Sequence, residues 1–225
     1  MPIPKSQELF DLTHTQFTPL LAEKSYPWEA LPHISSFLVA LFDALPNTLY
    51  EKVGDGIYIA KSARVAKTAL VEGPTVIGEN AEIRHGAYIR GSALIGADAV
   101  VGNSSEIKNA VLFDGVQVPH YNYVGDSILG YRAHMGAGAI ASNMRADRQN
   151  VVIRADDETH ETGLRKIGAF LGDYAEIGCG AVLCPGTVVG RQSTVYPLVR
   201  VRGYVPENAI CKSENQIVIK ANKKP

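Results

Sequence analysis

The sequence predicts an all-β fold, a parallel β-helix wound from six-residue repeats, with a short helical cap at its N-terminal side. Two observations carry the coil and a third carries the cap. Ten large apolar residues recur at a strict spacing of six: Ile59, Val65, Val71, Ile77, Ile83, Ile89, Ile95, Val101, Ile107 and Phe113. Four places after most of them stands a small residue, as at Ala63, Ala69, Ala81, Ala87 and Ala99. Helical spacing of apolar residues is concentrated in residues 1–50.

A period of six matches neither an amphipathic helix nor a simple alternating strand. It suits short strands joined by tight corners, with the aliphatic side chain pointing inward and the small residue where the corner crowds the axis. Each buried Ile or Val contributes roughly 1.5–3 kcal/mol. One rung cannot close its own core, so stacking of rungs supplies the stability. The coil is expected over residues 57–206. Its phase slips near Phe113, with apolar residues then at Val118, Val124, Leu129 and Met135, before a last regular run from Leu171 to Val201. A regular core does not require such slips, and irregular backbone is a common seat of function.

Residues 1–56 form the expected helical cap. Ser6 to Glu23 and Ser35 to Leu45 have helical spacing, the second bounded by Pro32 and Pro46. The cap is expected to cover the open end of the coil, where exposed strand edges would invite association. Trp28 reads as a packing anchor between the two helices, the alternative being a substrate-stacking role. Residues 144–166 break the repeat as an inserted hairpin around Asp156-Asp157, and residues 207–225 form a C-terminal tail with a frayed basic end.

Composition narrows the function classes. The chain of 225 residues is 46% hydrophobic, ample for one long core. Its 22 Lys+Arg and 23 Asp+Glu nearly cancel, so no global field recruits nucleic acid or an anionic membrane. No apolar stretch approaches the ~18–20 residues that span a bilayer. Three cysteines make no disulfide framework, and a cytoplasmic setting is the simplest expectation.

Two cations stand out. Arg90 and Lys108 lie 18 residues apart, each directly after an inward Ile. If three hexads make one turn, they stack on one edge about 4.8 Å apart. Two unpaired cations that close favour an anionic guest such as a sugar phosphate; the alternative is a solvated ladder paired with Glu82 or Glu106. His120, at the slip among Tyr121, Asn122 and Tyr123, has the chemistry of a general base for an amine nucleophile, or else a structural role. His85, His120 and His134 form no close His-x₃₋₅-His pair, so no metal site is expected.

Residues 101–143 carry a resemblance. Val101-Gly102-Asn103, Glu106-Ile107-Lys108, His120-Tyr121-Asn122-Tyr123-Val124-Gly125-Asp126 and Met135-Gly136-Ala137-Gly138 are followed by Asn143. Together they resemble the C-terminal, left-handed β-helix domain of bifunctional UDP-N-acetylglucosamine pyrophosphorylase/glucosamine-1-phosphate N-acetyltransferases. The resemblance implies that Arg90 and Lys108 hold a sugar phosphate, that His120 is the general base, that Tyr123 contacts the sugar and that Asn143 positions substrate or acetyl carbonyl. It implies that the Ala137 backbone lies close to acetyl-CoA and that Lys166 is a further substrate contact. A sugar-binding Asn of the family falls at His134, a CoA-binding Ser at Cys179 and a groove-lining Ala near Pro197. A homotrimer with acetyl-CoA between coils is implied as well. The pyrophosphorylase half has no counterpart here, so no uridylyl transfer is expected. The hairpin at 144–166 resembles one in archaeal sugar-phosphate nucleotidylyltransferases.

The resulting expectation is an acetyl-CoA-dependent N-acetyltransferase acting on an amino-sugar 1-phosphate in sugar-nucleotide synthesis. Its rival is a non-catalytic module that binds a sugar phosphate or sugar nucleotide beside a separate nucleotidylyltransferase.

Overall fold

The computed structural model describes residues 1–155 and 158–221. It is a parallel β-solenoid of about eight turns. Each turn lays one short strand on each of three faces. The first face carries Ile57–Ala60, Thr75–Ile77 and Ala93–Ile95, the second Arg64–Val65, Glu82–Ile83 and Val100–Asn103, and the third Leu70–Glu72 and Tyr88–Arg90. The register stacks like on like. Ile59 pairs with Ile77, Ile77 with Ile95, Ile83 with Val101, and Val71 with Ile89. Ile77, Ile83, Ile89, Ile95, Val101 and Ile107 are buried to 1% exposure or less, which is the inward column that the spacing predicts.

Phe113 is the exception to that column. Ile95 pairs with Leu112, not Phe113, so this turn takes 17 residues where Ile77 to Ile95 takes 18. The missing residue lies at a corner. Gly91 and Ser92 separate the third-face and first-face strands in one turn, but only Asn109 does so in the next. The same contraction recurs at Asp126, so Glu106–Leu112 and Tyr123–Leu129 each run unbroken round a corner. Asn109 and Asp126 turn that corner at φ 47° and 49°, a left-handed conformation that Asn and Asp tolerate better than most residues. The slip therefore begins four residues before Phe113. Phe113 itself leaves the inward column and packs against Phe10 at 5.2 Å.

That contact shows where the N-terminal segment lies. It runs lengthwise over the first face and its flanking corner instead of closing the open end of the coil. The outward residues Val76, Leu94, Val111, Ile128, Phe170 and Val188 form an apolar row along this face, and all are at most 2% exposed. A face with an apolar outer surface has to be covered. The cover is Ser6–Leu9, Leu12–His14, Thr18–Ala22, Pro27–His33 and Ile34–Phe42, a broken series of short helices where Ser6 to Glu23 reads as one. Pro19 and Pro27 start new segments there. Trp28 is an anchor, stacked on Tyr26 at 4.5 Å and 6.0 Å from Phe170.

The ends are closed by hairpins. Tyr50–Gly54 pairs antiparallel with Ile57–Ala60 at the start, and Ala209–Ser213 with Gln216–Ile219 at the finish. The coil thus reaches residue 213, beyond the expected 206, and Ile217 to Ile219 form a paired strand and not a frayed tail. Val152–Arg154 and Thr159–Glu161 form an antiparallel pair in the insertion; Asp156 and Asp157 lie outside the described residues. Among the described residues, no helix is long and apolar enough to cross a membrane.

Candidate active site

Apart from His134, the predicted site residues gather on the two edges of the third face. On the edge shared with the first face, the one-residue corner at Asp126 organises a polar network. The Asp126 carboxylate is only 6% exposed, yet it accepts hydrogen bonds from the amide of Asn109 at 2.8 Å and from that of Asn143 at 2.5 Å. The Lys108 ammonium lies 3.4 Å from each of its oxygens. Asn143 also donates to the Tyr123 hydroxyl at 3.1 Å. Burial, reinforced by the Asp126 charge, pushes the Tyr123 phenol above its usual range, so it stays protonated with its own hydrogen free to donate. Gly125 makes this meeting possible. A Cβ there would stand 2.5 Å from the Tyr123 hydroxyl and 2.8 Å from the Asn143 amide.

Arg90 and Lys108 occupy neighbouring strands, since Ile89 pairs with Ile107 just before them. The expectation of unpaired cations is corrected, however. Arg90 meets Glu106 at 2.6 Å and Lys108 meets Asp126, because each cation faces a carboxylate presented from the next strand or its corner. The Arg90 pair is part-exposed, at 41% and 32%. Such a pair is worth only about 0–1 kcal/mol, so an incoming phosphate can compete with Glu106 for the guanidinium.

The insertion brings Lys166 to the same corner. Lys166 bridges Met144 in an antiparallel contact, Ile167 donates its N–H to the Asn143 carbonyl, and Gly168 donates to the Asp126 carbonyl. A cavity of about 600 Å³ opens there, lined by Asn109, Asp126, Met144, Arg148, Arg165 and Lys166, with Leu31 and Pro32 of the N-terminal segment as an apolar wall. That volume lies in the range of small-molecule sites.

The opposite edge, shared with the second face, is different. His120 ends the strand Gln117–His120, exposed and in register with Asn103. Gly138 donates to the His120 carbonyl at 3.0 Å, Gly180 to Ala137 at 2.8 Å, and Leu198 to Cys179 at 2.9 Å. His120, Ala137, Cys179 and Pro197 therefore stack one above another as a ladder along this edge. The Ala137 amide makes no hydrogen bond to the described residues. His134 is elsewhere, in the middle of the second face with Nδ1 2.8 Å from Glu176. It joins neither edge. Among the described residues, no three His, Cys, Asp or Glu side chains gather as a metal centre would need.

Asp126, Asn109, Arg148 and Arg165 are the residues that spacing and motif left without a role. The signal for the first two was the phase slip, which falls on them.

The GMPPB C-terminal domain family model matches residues 71–161. A bifunctional sugar-1-phosphate nucleotidylyltransferase/acetyltransferase of Sulfurisphaera tokodaii is 34% identical over 92 residues, 41% of this chain and only 23% of its own length. The uncharacterized acetyltransferase YaiX of Escherichia coli O6:K15:H31 is 30% identical over 156 residues, covering 69% of this chain and 67% of that protein. Among solved structures, PerB from Caulobacter crescentus, in complex with CoA and GDP-perosamine, covers 68% of this chain and 52% of its own at 18% identity. Its TM-score is 0.37, a likeness too distant to bear on the site. The β-solenoid, its six-residue core and the two-thirds match to YaiX agree on one assignment: the chain belongs to the hexapeptide-repeat acetyltransferases.

Proposed function

We propose that the protein is an acetyl-CoA-dependent N-acetyltransferase acting on an amino-sugar 1-phosphate. The observation that carries this reading is the corner network. Lys108, Asn109 and Asn143 meet at Asp126, Asn143 ties in Tyr123, and Asp126 and Asn109 line a cavity shared with Lys166. In this reading Arg90 and Lys108 receive the phosphate, the Tyr123 phenol donates to the sugar, and Asp126 fixes the rotamers of Lys108 and Asn143.

His120 is exposed beside the unbonded Ala137 amide. Its imidazole takes a proton from the sugar amine as nitrogen attacks the thioester carbonyl. The C–N bond forms, the amide N–H of Ala137 receives the developing oxyanion, and the C–S bond then breaks. The proton held by His120 passes to the departing CoA thiolate. Positioning supplies most of the acceleration, general-base action about 10²–10⁴-fold, and the oxyanion donor adds to both.

His120 and Asp126 stand on opposite edges of the third face. The strand residues Tyr123, Val124 and Gly125 lie between them, at about 3.3 Å per residue, whereas reacting atoms must approach to about 3–3.5 Å. This separation supports a homotrimer in which one copy's His120 edge serves the next copy's Asp126 edge. Exposed Leu70, Ile140 and Val182 on the intervening face suit burial between copies. Sedimentation would give the mass. Co-assembled His120→Ala and Asn143→Ala chains would regain activity if sites are shared, and remain inactive if each chain holds a complete site.

The primary test is CoA thiol release with acetyl-CoA and glucosamine-1-phosphate or galactosamine-1-phosphate. Release that requires the sugar phosphate and His120 is expected. One observation favours the second reading, a sugar-phosphate-binding module. Pro197 has no N–H, and Leu198 beside it is 84% exposed on the edge that would hold the CoA arm. Thermal stabilisation by the sugar phosphate without thiol release would select that reading.

A further inference from the structure

The insertion carries a concentration of charge that the proposed chemistry does not use. Two further cavities, of about 590 and 320 Å³, share Arg145, Val152 and Arg154 as a common wall. The larger adds Arg148 and Arg165, the smaller Arg200 and Arg202. Six of the chain's eleven arginines thus line adjoining cavities, in a protein whose net charge is −1. Among the described lining residues, only Asp147 and Glu161 are acidic.

Pairing does not account for the cluster. Arg145 is held by Asp147 and Arg200 by Glu214, each at 2.5 Å. Among the described residues, no carboxylate pairs with Arg148, Arg154, Arg165 or Arg202. Arg154 is held on a packed strand. Val151 and Ile153 are 1% exposed and pack against Gly186, and Val152 and Arg154 line both cavities. Arg148 and Arg165 also line the cavity at Asp126. The arginine cavities are therefore contiguous with the candidate sugar site.

Guanidinium forks match phosphate oxygens bidentately, and several held together with few counter-charges select a ligand with more than one phosphate group. We propose that the insertion forms a phosphate-recognising site for a diphosphate-bearing nucleotide, reaching from Arg148 and Arg165 to Arg154 and Arg202. The same diphosphate chemistry is offered by a nucleoside diphosphate sugar and by CoA. Only the site's continuity with a sugar pocket rests on the function proposed above.

The test is calorimetric titration of the full chain with inorganic pyrophosphate, with inorganic phosphate as the single-phosphate control. Pyrophosphate is expected to saturate one site at least about tenfold more tightly than phosphate, and the R154Q/R165Q double variant to weaken it about tenfold or more. R64Q, the same charge change on the first turn, leaves binding intact, and neither variant shifts the melting temperature. Displacement of pyrophosphate by a UDP-sugar assigns the site to the sugar nucleotide; displacement by CoA but not by pantetheine assigns it to CoA. Absent saturable pyrophosphate binding, equal loss in R64Q, or displacement by neither nucleotide would overturn the proposal. Thiol release without pyrophosphate binding would remove this site alone, whereas pyrophosphate binding without thiol release would remove only the acetyltransferase reading.

Discussion

The two edges of the third face are built from the same repeat and differ in almost every other respect. The edge bearing His120, Ala137, Cys179 and Pro197 is a backbone ladder, held by amide-to-carbonyl bonds between successive corners. The edge bearing Asp126 is a side-chain network at a corner one residue short, where a buried carboxylate gathers three donors. A regular ladder presents a smooth groove to an extended ligand. A contracted corner presents converging charges to a compact one. The comparison teaches that the deletions at Asn109 and Asp126 are what convert a structural corner into a polar pocket.

Substitutions that separate the two edges sharpen this view. The largest effect is expected from His120→Ala, a fall in kcat of about 10²–10⁴-fold with an unchanged melting curve, because the side chain is exposed and makes no hydrogen bond among the described residues. Unchanged kcat would remove His120 from the mechanism. Asp126→Ala is expected to act on stability first, by about 3 kcal/mol, since it strands Lys108, Asn109 and Asn143 together. Denaturant unfolding would read this, and a loss no greater than that of His120→Ala would break the contrast between the edges.

Gly125→Ala comes next. Its Cβ would displace the Tyr123 hydroxyl or the Asn143 amide, at about 1–3 kcal/mol, with KM for the sugar phosphate raised. A variant as stable and as tight-binding as the parent would mean that the Tyr123–Asn143 contact is dispensable. The smallest effect is Arg90→Ala. KM for the phosphorylated sugar rises about tenfold with kcat near the parent value, while stability shifts by less than about 1 kcal/mol because the Glu106 pair is half-exposed. An unaltered KM would sink the phosphate clamp.

The inward columns were legible because period six and three faces allow only one stacking of Ile77, Ile83, Ile89 and their successors. The cap's resting place was misread as the open end of the coil, although the strands themselves carry a signal for the face it covers. Thr75-Val76-Ile77, Ala93-Leu94-Ile95 and Ala169-Phe170-Leu171 carry an apolar residue outward, whereas Tyr88-Ile89-Arg90 does not. The first set is the one that the N-terminal segment covers. The stacking of Arg90 on Lys108 follows from counting, and Glu106 was among the partners the sequence offered, but Asp126 was not, because it reaches Lys108 only through a corner whose contraction the apolar pattern dates four residues late. His134 illustrates the converse limit: a motif position can match while its face does not converge with the rest.

The N-terminal segment has a consequence for how the molecule comes apart. A stack of rungs held only by its neighbours frays from its ends, rung by rung. Here the segment is fastened to the first rung where Phe42 stacks on Tyr58, to the middle where Phe10 meets Phe113, and near the far end where Arg191 and Asp173 bond Leu9 and Asp11. It acts as a splint along the coil. Opening any rung at either end strains a strap shared with the centre, so this quasi-one-dimensional stack is expected to unfold more nearly all-or-none than a bare stack of rungs.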